Sequence, residues 1–269
     1  MSLETLADPL FRVPFLVGLT LAAVLPLLGV LLRLREEWLA ALGLAHLAGA
    51  SGLLGMAIHL PVVAGAALGA MAGAAVKNLW RIGGNTVYAM MILVGWAASL
   101  LVAANTTLGS VLGHALVEGQ LYFAGLQHLA AAVGVAVIAA IAVPWLAPRL
   151  AHARLFPGEE VANRKPSWRW HAGFDMLVAL AIAAGTASLG LMAAFALAFV
   201  PPWVAFHLAR DWRSCFWISV GFALPAYVVS FALALLLDQP FGPVLVAVLV
   251  LLGGVSRLAF SRRAFKPGA

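Results

Sequence analysis

Charge and cysteine are scarce in this sequence. Of its 269 residues only 10% are charged and 64% are hydrophobic, whereas soluble domains run at roughly 25% charged. A water-soluble globule is excluded. The one thiol, Cys215, excludes an intrachain disulfide and any cysteine-cluster metal site. Phosphate-binding loops of the GxxxxGKS type, GxSxG and HExxH are all missing, so ATP hydrolysis and intramembrane proteolysis have no visible machinery. Asp175, Glu118 and Asp238 sit at the ends of apolar runs, and no Asp, Glu, Lys or Arg falls deep inside one. A carrier driven by protons or sodium would show such a group, so uphill transport here would draw its energy from another subunit.

What the sequence has in abundance is long uncharged runs, enough for about nine spans of ~20 residues. Each is expected to be a helix, because backbone amides in lipid must be satisfied within their own segment. The reading is all-α: a polytopic helical membrane protein, residues 1–269 forming one transmembrane domain. Its spans are placed at about 13–32, 38–60, 61–76, 85–108, 129–147, 174–188, 190–207, 214–237 and 239–256. The 39 uncharged residues from Trp38 to Val76 are divided at His59-Leu60-Pro61, since proline lacks the amide that a continuing helix needs. The 34 residues from Met176 to Ala209 are read as two short helices because basic residues flank both ends, which calls for an even number of crossings.

The N-terminus, Glu4 to Asp8, is acidic where a signal peptide is basic, so the first run is expected to be retained. Nine crossings put the N-terminus outside and the C-terminus in the cytoplasm, and place 15 of the 16 Lys and Arg residues inside, with Arg12 the exception. The net charge of +6 is then explained without a nucleic-acid partner. Gly65, Gly69 and Gly73 recur every fourth residue, a stripe that fits either packing within one subunit or a dimer seam.

His46 is the only ionisable group near the middle of a span apart from the thiol. It suits either a metal ligand or a hydrogen bond between helices. In the outer loop His114 and Glu118 stand four apart, a spacing that presents two ligands to a divalent cation if the segment is helical, or otherwise a solvated polar face. His59 is either a further ligand or a cap, and His207 and Asp211 form a four-spaced pair at the opposite side.

From Gly190-Leu191 through Pro201-Pro202-Trp203-Val204-Ala205 and Arg210 to Asp238-Gln239-Pro240-Phe241-Gly242-Pro243, the chain resembles the permease subunits of bacterial zinc and manganese ABC importers. Leu44-Ala45-His46 matches that family's second-span segment, and Asn85-Thr86 falls where it often has Asp-Thr. The resemblance covers nearly all of Phe15 to Leu258. It implies a type II-like ABC importer permease in the bacterial inner membrane. This would be a homodimer working with cytosolic ATP-binding subunits and a periplasmic metal-binding protein, with no tightly bound cofactor and a transported zinc or manganese ion. It further implies that the loop 149–170 carries the ATPase-coupling helix, with Pro157, Gly158, Glu159, Glu160 and Ala162 at the coupling position. Leu42 replaces the family's second-span Asp, which favours zinc, a metal that accepts imidazole, over manganese. Manganese or iron, a metal chelate, and a non-transporting membrane scaffold are the alternative readings.

Overall fold

The computed structural model describes residues 9–80, 84–106, 121–156, 159 and 168–264. Among them are nine helices long and apolar enough to cross a membrane and no strand. They are α1 (Arg12–Leu34), α2 (Ala40–Ala57), α3 (Val62–Trp80), α4 (Asn85–Asn105), α5 (Leu126–Leu155), α6 (Trp168–Leu189), α7 (Leu191–Leu208), α8 (Trp212–Leu236) and α9 (Phe241–Ala264). The two-helix expectation for 176–209 agrees with this: α6 and α7 meet at Gly190, whose φ of +94° is a conformation open to glycine and strained for other residues.

Successive helices run in opposite directions, and side-chain contacts pin the two ends. Arg35 reaches Asp175, Lys77 reaches Glu37, Arg154 reaches Glu36 and Arg257 reaches His207 at one end. This basic end holds every described Lys and Arg except Arg12. At the other end the Tyr227 hydroxyl donates to the Phe15 carbonyl at 3.0 Å, within an aromatic cluster of Phe15, Tyr122, Tyr227, Phe231 and Phe241. Burial there, with the Asp238 carboxylate adding to it, pushes the Tyr122 hydroxyl up to about 12.

The bundle has inner and outer helices. α1 packs on α5, α6, α7 and α8, and α6 on α1, α2, α3, α5 and α7, so these two form the centre. α4, α5 and α9 expose rows of large apolar side chains such as Leu93, Trp96, Ile141 and Leu251, the surface a bilayer solvates. Close crossings depend on small residues. A methyl group on Gly65 would lie 2.7 Å from the Ser51 carbonyl and 3.3 Å from the Cα of Gly52 and of Gly55. The glycine stripe of α3 therefore packs against α2 of the same chain, which decides between its two readings. Cys215, 5% exposed, is closed in beside Val30 and Ala205.

Three boundaries differ from the sequence reading. α3 runs to Trp80 and carries Lys77 into the protein instead of leaving it in a loop. α5 continues to Leu155, with the Arg149 guanidinium over the Trp145 ring at 3.9 Å and the Trp170 ring at 5.0 Å. Cation–π contact lets this arginine stay helical at the bundle's edge. α6 begins at Trp168, so Asp175 is two turns inside a helix and 3% exposed.

Candidate functional site

His46 lies in the first half of α2, one turn after Leu42 and two after Leu39, and all three are half-buried along one face. Its position is set by α4. A methyl group on Gly95 would lie 2.6 Å from the His46 carbonyl carbon and 2.8 Å from its Cβ, so only glycine lets the two backbones approach this closely. Near the start of α2, Trp38 faces Phe199 of α7 at 5.6 Å, and Phe199 stacks on Phe195 at 5.3 Å.

The other expected ligands do not join His46 within the described structure. His114 and Glu118 lie outside the described residues. His59 is exposed at the α2–α3 elbow with a φ of +63°. At the start of α5, the His128 Nδ1 accepts from the Gly125 amide at 3.3 Å and caps the helix. Among the described residues no group of three or more His, Cys, Asp or Glu side chains could hold a metal ion. Among its described residues one chain thus offers a single imidazole at this level. Of the coupling segment, Pro157, Gly158, Glu160 and Ala162 lie outside the described residues, whereas Glu159 lies 3.2 Å from His152 at the end of α5.

The motif residues have structural duties. Gly190 is the α6–α7 break, and Pro201 is buried in α7. Asp238, with φ +54°, and Pro240 form the elbow from which α9 departs, Gly242 and Pro243 lie in its first turn, and Phe241 packs 5.6 Å from the Tyr227 ring.

The strongest electrostatic feature was not legible in the sequence. Arg35 contacts Asp175 and Glu37, and Lys77 contacts the same two carboxylates, all four at 2.9 Å. The side chains are 3–12% exposed. Two cations and two anions form a closed, neutral ring in which each charge has two partners, the arrangement that makes buried charge tolerable. Tyr88 of α4 donates to Glu37 at 3.2 Å, the Arg35 guanidinium lies 5.2 Å from the Phe174 ring, and Lys77 lies 5.1 Å from the Tyr88 ring. Burial alone would lower the Arg35 pKa, but Asp175 and Glu37 outweigh it and hold the guanidinium above its ordinary value. The ring joins the α1–α2 elbow, α3, α4 and α6 immediately before the helix that carries His46.

Asn85 completes the elbow. Its Oδ1 accepts from the Leu39 amide at 3.3 Å and its Nδ2 donates to the Glu36 carbonyl at 3.0 Å, steadying a Glu36 held at φ +60°. An aspartate keeps the acceptor but sets a carboxylate against the Glu36 carbonyl. Asn85→Asp is therefore expected to lower stability by about 1–3 kcal/mol, read as a fall in the thermal unfolding midpoint of the purified protein, and an unchanged midpoint refutes the bridging role.

A profile of the ABC 3 transport family matches residues 7–258. No curated protein sequence matches. Among solved structures, the fold is similar to PsaBC from Streptococcus pneumoniae in complex with Fab, with TM-score 0.80 and 16% identity, covering 94% of this chain and 92% of that one. It is also similar to an ABC transporter provisionally described as of metal-chelate type in an inward-facing conformation, with TM-score 0.72 and 15% identity, covering 91% of this chain and 85% of that one. At such identities the structural likeness concerns the fold, while the profile spans nearly the whole sequence, and the chain belongs to the ABC 3 transport family.

Proposed function

We propose that this chain is the permease of an ATP-driven importer of a divalent metal ion, zinc first and manganese or iron second. The observation that carries the metal reading is His46, a half-buried imidazole on the helix that the charge ring anchors, with Leu42 in place of an oxygen ligand one turn away. An imidazole without a carboxylate suits zinc better than manganese. In this reading two copies meet so that each contributes a His46, and the ion crosses between them. His114 and Glu118 serve at the entry side. Cytosolic ATP-binding subunits engage the segment between α5 and α6 through Pro157, Gly158, Glu159, Glu160 and Ala162, and a periplasmic binding protein delivers the cargo. The excess of basic residues at one end supports placing that end, and the C-terminus, in the cytoplasm of a bacterial inner membrane.

The test is ATP hydrolysis and uptake by the complex reconstituted with its ATPase and binding protein. Zinc is expected to stimulate both. A complex that hydrolyses ATP but responds to no free ion overturns the free-ion reading. A second reading, import of a metal chelate, is favoured by the absence of a three-ligand cluster among the described residues and by the metal-chelate description of one structural relative. Stimulation by a chelated metal and not by the free ion would select it.

A further inference from the structure

α5 and α8 both pack on α1 yet scarcely touch each other, which leaves a furrow on the flank of the bundle. The furrow has a volume of about 330 Å3, with Leu27 of α1 as floor, Ala140 and Pro144 of α5 as one wall, and Arg213, Phe216 and Trp217 of α8 as the other. This is within the ~300–1,000 Å3 range of ligand pockets. Its walls are apolar save for the arginine, and it opens sideways from helices that cross the membrane, where acyl chains and not water fill concavities.

The rim identifies the headgroup. Trp217 is 79% exposed one turn beyond Arg213, the placement of a tryptophan at headgroup level. Among the described residues Arg213 has no carboxylate in ion-pair contact. The adjacent Asp211 feels the Arg213 charge through space, but its oxygen is engaged as the N-cap of α8, accepting from the Ser214 amide at 2.6 Å and from the Ser214 hydroxyl. Arg210, three residues earlier, is likewise exposed. A second copy is a poor occupant, because the described carboxylates of this end already have partners: Glu36 with Arg154, Glu37 and Asp175 in the ring, Glu159 with His152, and Asp211 with Ser214. Among the described residues no carboxylate closes an ion pair with Arg213, and an anion supplied from outside the protein fits this rim.

We propose that this furrow is a binding site for one anionic phospholipid, its phosphate held by Arg213 and an acyl chain lying against Leu27, Ala140, Pro144 and Phe216. The test is native mass spectrometry of the full chain in detergent, offered palmitoyl-oleoyl phosphatidylglycerol and phosphatidylcholine in equal amounts. The wild-type protein is expected to retain phosphatidylglycerol preferentially. Arg213→Gln is expected to reduce the preference about fivefold, the factor equal to ~1 kcal/mol for one arginine at an anionic surface. Arg213→Lys should keep it, and Ala140→Trp, which fills the furrow, should weaken both lipids. Equal retention of the two lipids by wild-type protein, or an unchanged preference in Arg213→Gln, overturns the proposal. Displacement of the bound lipid from wild-type protein by millimolar inorganic phosphate also overturns it, so a variant that fails to fold leaves the question decidable.

Discussion

Asp175→Asn is expected to destabilise the protein by about 3–5 kcal/mol, the cost of breaking a buried ion pair from one side. The change removes the carboxylate that contacts both Arg35 and Lys77, leaving two buried cations to share Glu37. The companion variant Lys77→Met with Asp175→Leu removes one charge of each sign and leaves Arg35 paired with Glu37. It is expected to recover most of the lost stability, since replacing a buried pair by packed apolar groups is often neutral. Thermal unfolding of the purified protein in detergent reads both. If the single variant melts with the wild type, or the double variant melts below the single one, the ring is not the anchor that its geometry describes.

His46→Ala is expected to reduce metal uptake by the reconstituted complex at least tenfold, while assembly with the ATP-binding subunits and the unfolding midpoint stay close to wild type. The separation follows from placement. His46 is half-buried and its α2–α4 contact is made by backbone against Gly95, so truncating the imidazole leaves the helix crossing intact. Even groups that merely orient a metal ligand cost ten- to a hundredfold when removed, and a direct ligand should cost no less. Uptake undiminished in His46→Ala removes this residue from the path. A large drop in the unfolding midpoint would instead identify it as a packing residue.

The spans were legible because each depends on local sequence. A helix in lipid needs ~20 apolar residues and a basic flank, and the pieces of the chain satisfy that separately. The break at Pro61 was readable because a missing amide acts where it stands, and the paired helices on either side of Gly190 were readable from the basic residues that flank 176–209 at both ends. The charge ring was not, because three of its four contacts join residues 40, 98 and 140 apart and nothing near Lys77 or Asp175 names its counter-ion. A residual signal was present. Asp175 stands among Gly173, Phe174, Met176 and Leu177, a setting that strands a carboxylate unless another helix brings it a cation. The role of Asn85 was hidden too: set against an expected aspartate it reads as a lost charge, whereas the fold uses its amide as both donor and acceptor. His46 was legible as an exception within an apolar run, but Gly95 as the residue that seats it was not, since a glycine's neighbour across a helix crossing has no trace in its own segment.

The enclosure of Cys215 has a practical corollary. With the sole native sulfhydryl shut between Val30 and Ala205, the outside of the molecule presents no competing thiol to a membrane-impermeant maleimide. A cysteine engineered into any exposed loop will be the one that is tagged, so which aqueous compartment each loop faces can be mapped in whole cells without first stripping the native residue.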